Sequence, residues 1–144
     1  MVDGLAPNRG VAFPPETTEK SSPPRVLVVD DERLIRWSLA ESLTEAGAMV
    51  VEASNGSEAL RSVREASPDV VVLDYRMPDS NDLTLLASIR RLAPRSQVIL
   101  MTAFGAPEVV MGALDLGAFC VVSKPFEVGQ LLALVGQAHA SAQE

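Results

Sequence analysis

Residues 69–78 read DVVVLDYRMP, and the unbroken apolar run at residues 70–73 decides the class of fold. Successive side chains of a strand point to opposite faces of the sheet, so a strand that is apolar at every position must be covered on both faces. Residues 25–30 (RVLVVD) and 97–101 (QVILM) have the same character. This pattern is typical of parallel strands that lie between two layers of helices.

Short apolar runs of this kind alternate with longer stretches of helical periodicity, which predicts strands joined by crossover helices. The predicted strands are 25–30, 48–53, 69–73, 97–101 and 118–122, and the predicted helices are 32–46, 56–66, 82–92, 107–116 and 127–139. Gly47 and Gly117 follow helical patterns where a left-handed cap is expected, and Pro107 suits a first helical turn. The sequence therefore predicts an α/β fold, a doubly wound five-stranded parallel sheet, (βα)5, with the flavodoxin-like strand order 2-1-3-4-5.

The length of 144 residues fits one ordinary domain. Residues 1–24 are rich in proline, serine, threonine and glycine and show no regular periodicity, so we expect a flexible tail there. The domain itself is predicted over residues 25–140, and residues 141–144 are predicted to form a short C-terminal tail.

The overall charge and hydropathy exclude several classes of protein. Acidic side chains outnumber basic ones by 19 to 12, and this formal net charge of -7 disfavours direct nucleic-acid binding by this domain. No stretch approaches the ~20 apolar residues of a membrane-spanning helix, and the N-terminus lacks a secretory-signal pattern. The single cysteine, Cys120, permits no internal disulfide. We therefore expect a cytoplasmic protein without membrane association.

Polar side chains follow four of the five predicted strands. Asp30 and Asp31 follow the first strand, Asp74 the third, Thr102 the fourth and Lys124 the fifth. Ligands of open parallel sheets bind beyond the carboxyl ends of the strands, so these side chains are expected at one edge. Three clustered carboxylates repel one another unless a cation is present, and their hard oxygen atoms favour Mg2+.

A metal held in this way suits phosphate chemistry. Mg2+ bound by carboxylates commonly completes its shell with phosphate oxygens, and Lys124 and Thr102 supply a charge and a hydroxyl for the same group. Asp74 follows a buried strand that fixes its direction, and aspartate can form covalent phosphoryl intermediates. The pattern therefore indicates phosphoryl transfer with Asp74 as nucleophile. Taken singly, an Asp-Asp pair after a strand is more often a helix N-cap with a favourable place beside the helix dipole.

The segments LVVDDE, VVLDYRMP, VILMTAFG and VVSKPF together resemble the receiver domain of bacterial response regulators, over about residues 24–140. The stretch DDERLIRWSL, with MTAFG and the GAF before Lys-Pro-Phe, is most similar to receivers of the nitrogen-regulator type, which belong to sigma-54 transcription activators. The resemblance implies a switch in a two-component phosphorelay, in which a sensor histidine kinase transfers a phosphoryl group to Asp74. It implies a phosphoacceptor with slow autodephosphorylation and no turnover substrate.

The resemblance also implies roles for single residues. The Mg2+ ligands would be Asp30, Asp31, Asp74 and the backbone carbonyl of Arg76. Thr102 and Lys124 would then read the phosphate. The peptide bond between Lys124 and Pro125 is expected to be cis. Phosphorylation is expected to change partner binding, or to favour a homodimer through the fourth and fifth helices.

The sequence departs from the family pattern in two places. Val121 stands where the family has an aromatic residue that turns inward on phosphorylation, so Phe104 or Phe119 could substitute for it, or the threonine loop could act alone. Asn81 and Asp82 replace the usual Asp-Gly turn after the Met-Pro pair, so the loop there is expected to be altered.

Two helices carry candidate interaction surfaces. Trp37 lies off the apolar stripe of the first helix, so it either packs on Leu34 or belongs to a docking surface. In the family, this helix contacts the kinase. The outer face of the last helix carries Ala133, Leu134 and Ala138 with few charges, a composition typical of an interaction patch.

Three alternatives remain beside the receiver. A haloacid-dehalogenase-like Mg2+-dependent phosphatase also uses a strand-end aspartate, but it needs a second aspartate two residues later, where this chain has Arg76. A flavodoxin-like cofactor binder would need a glycine-rich or hydroxyl-rich loop after the first strand, where Asp30 and Asp31 would repel a phosphate. A receiver-fold scaffold that is never phosphorylated is the third.

Overall fold

A computed structural model of the chain describes residues 22–80, 82–103 and 105–142. Its strands are β1 (Arg25–Val29), β2 (Met49–Ala53), β3 (Val70–Asp74), β4 (Gln97–Thr102) and β5 (Cys120–Ser123). Its helices are α1 (Arg33–Glu45), α2 (Gly56–Glu65), α3 (Thr84–Leu92), α4 (Pro107–Asp115) and α5 (Val128–Ala142). Most of the predicted N-terminal tail, residues 1–21, lies outside the described residues, as do Asn81, Phe104 and residues 143–144.

The five strands form one parallel sheet in the order β2-β1-β3-β4-β5. This confirms the predicted doubly wound fold and its strand order 2-1-3-4-5. The chain winds first to one side of β1 and then to the other, so the winding reverses between the ends of β1 and β3. Ligand sites of open sheets lie at such a reversal.

The sheet is covered on both faces, as the apolar strands require. Val71 and Leu73 of β3 pack toward α2, α3 and α4, whereas Val70 and Val72 pack toward α1 and α5. Every residue of β3 is buried. Burial on both faces fixes the direction of this strand and of the aspartate that ends it.

The element boundaries differ from prediction by two residues or more at three places. α3 begins at Thr84 and not at residue 82; Leu83 is its N-cap, and the Asp82 carboxylate before it accepts a hydrogen bond of 2.9 Å from the Thr84 N–H. α5 continues to Ala142, past the predicted end at residue 139, because the last residues include no helix breaker. β5 covers Cys120–Ser123 where 118–122 was predicted.

The predicted turn and cap positions are confirmed. Gly47 and Gly117 follow α1 and α4 with φ angles of 108° and 100°, in the left-handed region that favours glycine. Pro107 is the first residue of α4. These residues end or begin helices at the places that the sequence indicates.

The prediction for the outer face of α5 is wrong for Ala138. This residue is fully buried because it continues the stripe of Leu131 and Val135 that faces the sheet, and Leu134 is half-buried against the same cluster. Large exposed apolar side chains on the helices include Leu34 and Trp37 of α1 and Met111 and Leu114 of α4, and Met49 and Val51 of the edge strand β2 are exposed as well. None of the helices within the described ranges is both long enough and apolar enough to cross a bilayer.

Candidate functional site

Three aspartates meet at the carboxyl edge of the sheet, where the winding reverses. Asp30 and Asp31 follow β1, and Asp74 is the last residue of β3, the strand next to it. One carboxylate oxygen from each lies within 4.8 Å of the others. Asp30 and Asp74 are buried, at 0% and 7% exposure, whereas Asp31 is exposed. The site is therefore a buried acidic pair with a third carboxylate toward solvent.

The Lys124 ammonium lies between the two buried carboxylates. Its Nζ is 3.2 Å from Asp30 Oδ2 and 3.2 Å from Asp74 Oδ1, with Glu32 Oε1 at 3.9 Å. The side chain is only 15% exposed. The peptide bond that follows, to Pro125, is cis, as expected. Lys124 thus offsets part of the negative charge gathered at this edge.

Thr102 lies beside this group at the end of β4. It is buried, and its backbone carbonyl accepts a hydrogen bond of 2.8 Å from the Lys124 N–H. β4 pairs with β3 on one side, up to Asp74, and with β5 on the other side, where Thr102 is opposite Ser123. Thr102 therefore ends the strand next to the one that carries Asp74, and Lys124 directly follows β5, the strand on the other side of β4.

The surroundings of Asp74 disfavour its charged form. Burial, followed by the nearby Asp30 carboxylate, raises the pKa of Asp74 from 3.8 to about 6. Lys124 and a hydrogen bond from the Arg76 N–H act in the opposite direction. Burial alone would lower the pKa of Lys124, but the two carboxylates outweigh it and raise that pKa. A further positive charge at this site would favour the carboxylate form of Asp74.

Two residues that sequence reasoning did not identify hold Asp30 in place. Asp30 Oδ1 accepts a hydrogen bond of 2.8 Å from the Glu32 N–H, and its backbone carbonyl accepts one of 2.8 Å from Arg36. Arg36 also pairs with Glu52 of β2 at 3.0 Å. The Arg36 side chain therefore links α1 and two strand ends. No periodic pattern marks it in the sequence, because it is one of several charged residues on an outer helix.

The residues around the family departures are only partly described. Val121 packs against the cluster under α2, α3 and α4, whereas Phe119 packs against the cluster under α1 and α5. Phe119 therefore lies on the opposite face of the sheet from Val121. Phe104 and Asn81 lie outside the described residues. Arg76 is exposed, and its N–H faces Asp74.

In the metal-free protein, Asp74→Asn is expected to raise stability at neutral pH. Because the folded state raises the pKa of Asp74 to about 6, it binds this proton more tightly than the unfolded chain does. The stability linked to this group is therefore full below about pH 4 and is lost as the pH rises through about 6. At pH 7 the loss is on the order of 3 kcal/mol.

Thermal unfolding in EDTA from about pH 4 to pH 8 measures this effect. The melting temperature of the wild type should fall relative to that of Asp74→Asn as the pH rises. Parallel pH curves for the two proteins would show that the folded state does not disfavour the charged form of Asp74.

Comparison with known proteins assigns the chain to a family. A family model described as the response regulator receiver domain matches residues 26–136. The chain is 39% identical over 119 residues to the DNA-binding transcriptional regulator NtrC of Escherichia coli (strain K12), covering 83% of this chain and 25% of NtrC. It is 35% identical to the chemotaxis protein CheY of Thermotoga maritima, covering 75% of this chain and 91% of CheY.

Solved structures of receiver domains have the same fold as this chain. A CheY-like receiver domain protein from Methanospirillum hungatei JF-1 superposes with a TM-score of 0.81 at 25% identity, covering 85% of this chain and 98% of that one. The receiver domain of NtrX from Brucella abortus has a TM-score of 0.75 at 30% identity, covering 81% and 98%. The chain spans only 25% of the length of the curated NtrC relative, but most of CheY. The chain therefore belongs to the response regulator receiver domain family, and its receiver is of the NtrC type.

Proposed function

We propose that this domain accepts a phosphoryl group on Asp74 from a sensor histidine kinase, with Mg2+ bound beside it. The observation that carries the proposal is the position of the Asp74 carboxylate, held at a strand end between the Lys124 ammonium and the carboxylates of Asp30 and Asp31. A nucleophile, a positive charge and a cluster of metal-binding oxygens thus meet at one point. This combination suits in-line phosphoryl transfer.

The donor set fits Mg2+. Three carboxylates and one ammonium leave two negative charges uncompensated, which matches a divalent cation. One oxygen of each carboxylate lies within 4.8 Å of the others, so the three could hold one small hard cation together. The proposed ligands are Asp30, Asp31, Asp74 and the backbone carbonyl of Arg76. When bound, Mg2+ supplies positive charge that offsets the repulsion between these carboxylates and the incoming phosphoryl oxygens.

The side chains of Asp74, Lys124 and Thr102 carry out the phosphoryl transfer itself. A carboxylate oxygen of Asp74 attacks the phosphorus, the new oxygen–phosphorus bond forms, and the nitrogen–phosphorus bond of the phosphohistidine breaks and releases the imidazole. The attacking carboxylate carries no proton, so no general base is required. Lys124 lies within reach of the same edge and offsets charge on the phosphoryl oxygens, and the hydroxyl of Thr102 donates to one of them.

Two surfaces suit the partners that this function needs. A groove between α1 and the β5–α5 connection, lined by Leu34, Ile35 and Phe126, leads to Lys124. With Leu34 and Trp37 exposed beside it, we assign kinase docking to this face. Met111 and Leu114 are exposed on α4, and we assign the homodimer contact to α4 and α5.

A hydrolytic phosphatase is the weaker candidate. Arg76 stands two residues after Asp74, where a phosphatase of the haloacid-dehalogenase type needs an acidic group to protonate the leaving group. An arginine cannot act as that acid, because its guanidinium group does not give up its proton in proteins. This favours a stable phosphoacceptor over turnover. The net charge of -7 likewise favours signalling through protein partners over direct contact of this domain with DNA.

Incubation of the wild type with acetyl phosphate tests the proposal. In the presence of Mg2+, intact mass spectrometry should show the gain of a single phosphoryl group, and the same incubation in EDTA should show none. No gain at a saturating donor concentration would refute phosphoryl acceptance. An equal gain in EDTA would refute the role of the metal.

A further inference from the structure

The loop that follows the proposed phosphoacceptor is tied to α2 by one side chain. The Asp79 carboxylate accepts hydrogen bonds from the Gly56 N–H at 2.8 Å and from the Ser57 N–H at 3.2 Å. These donors lie more than twenty residues earlier in the chain. A Cβ atom at position 56 would meet Asp79 Oδ1 at 3.2 Å, so the close approach relies on a glycine there.

This contact gives hydrogen-bond acceptors to the free N–H groups at the N-terminus of α2. The first N–H groups of a helix have no partner within the helix, and a negative charge is favoured beside them. The Asn55 side chain accepts from the Glu58 N–H at 2.9 Å, which leaves the two preceding N–H groups to Asp79. The helix is thus capped by two side chains, and one of them belongs to the loop after β3.

The loop itself is compact between Asp74 and Asp79. Met77 is 5% exposed in the core, and it exchanges two backbone hydrogen bonds with Ser80, of 2.9 and 3.1 Å. Asp79 lies within this turn. On the other side of Met77, the Arg76 N–H donates to the Asp74 carboxylate. A shift of the turn would therefore move the backbone of Arg76 relative to Asp74.

We propose that Asp79 is a positioning residue for phosphoryl acceptance: by binding the N-terminus of α2, it holds the backbone of Arg76 in place beside Asp74. The inference rests on the proposed function, which gives the Arg76 carbonyl to Mg2+. Asp79 acts through the loop and touches neither the metal nor the phosphoryl group. The side chain that orients a ligand typically influences metal affinity.

The test compares three variants of the full chain by calorimetric titration with Mg2+ alone. Asp79→Ala should weaken Mg2+ binding roughly tenfold, the lower end of the effect of groups that orient metal ligands. Asn55→Ala removes the other cap of α2 and should lower the melting temperature to a similar extent, with Mg2+ affinity unchanged. Asp82→Asn removes the same charge from the same loop and should also leave Mg2+ affinity unchanged.

Amide hydrogen exchange gives a second measurement. The amide of Arg76 should exchange faster in Asp79→Ala than in the wild type, and Asn55→Ala should leave it unchanged. Equal Mg2+ affinity in Asp79→Ala and Asn55→Ala would overturn the positioning role, as would unchanged exchange at Arg76. If the wild type still binds Mg2+ and gains a phosphoryl group, the proposed function survives that outcome. If the wild type binds no Mg2+, both proposals fail.

Discussion

Asp74→Asn is expected to abolish phosphoryl acceptance from acetyl phosphate completely. Asparagine keeps the size of the side chain at the end of β3, so the buried strand and its neighbours should fold unchanged. Its amide lacks the negative oxygen that attacks phosphorus. Asp30, the other carboxylate 3.2 Å from Lys124, is fully buried and its Oδ1 already accepts a hydrogen bond from the Glu32 N–H, so it cannot take over as the acceptor. Intact mass after incubation with donor and Mg2+ measures the result.

Asp69→Asn is the matched control for this substitution. Asp69 immediately precedes β3, at its opposite end, and its carboxylate accepts a hydrogen bond from the Arg25 N–H at 2.9 Å. This variant loses the same charge far from the site and should be phosphorylated as the wild type is. An Asp74→Asn protein that gains the phosphoryl group at the wild-type rate would exclude Asp74 as the acceptor.

Asp30→Asn is expected to weaken Mg2+ binding by about 10–100-fold. Asp30 is fully buried, and its two oxygens accept from the Glu32 N–H at 2.8 Å and from Lys124 at 3.2 Å. An asparagine has one acceptor oxygen, so its NH2 group would face a donor at one of these contacts. The variant loses both a metal-binding charge and the partner that fixes Lys124.

Calorimetric titration with Mg2+ measures this loss, and Asp115→Asn provides the control. Asp115 ends α4 and is exposed, so its removal changes the net charge of the domain without touching the acidic site. We expect wild-type affinity in Asp115→Asn. Equal affinities in the wild type and Asp30→Asn would show that Asp30 does not contribute to the metal site.

The fold was predictable because each strand carries its signal locally. Val70–Leu73 is apolar at every position, and such a strand is typical of a parallel sheet that is covered by helices on both faces. The same reasoning fails at helix ends, where single side chains decide the boundary. The Asp82 carboxylate binds the first N–H of α3 from outside the helix, and α5 continues to Ala142, past the end of the helical pattern at residue 139.

The acidic site was predictable in part for a different reason. Parallel strands bring their carboxyl ends to one edge, so residues distant in sequence, such as Asp30, Asp74 and Lys124, meet without any local motif. The residues that hold the acidic site in place carry no such pattern in the sequence. Arg36 and Asp79 act through backbone groups of other elements, and those contacts depend on distances that only the folded chain sets.

The location of the phosphoryl group in the wild-type chain tests the central claim most directly. After incubation with acetyl phosphate and Mg2+, borohydride reduction converts an aspartyl phosphate into homoserine, and peptide mass spectrometry identifies the modified position. We predict conversion of Asp74 alone. Conversion of Asp30 or Asp31, or a phosphoryl group found on a serine, threonine or histidine, would contradict the assignment of Asp74 as the acceptor.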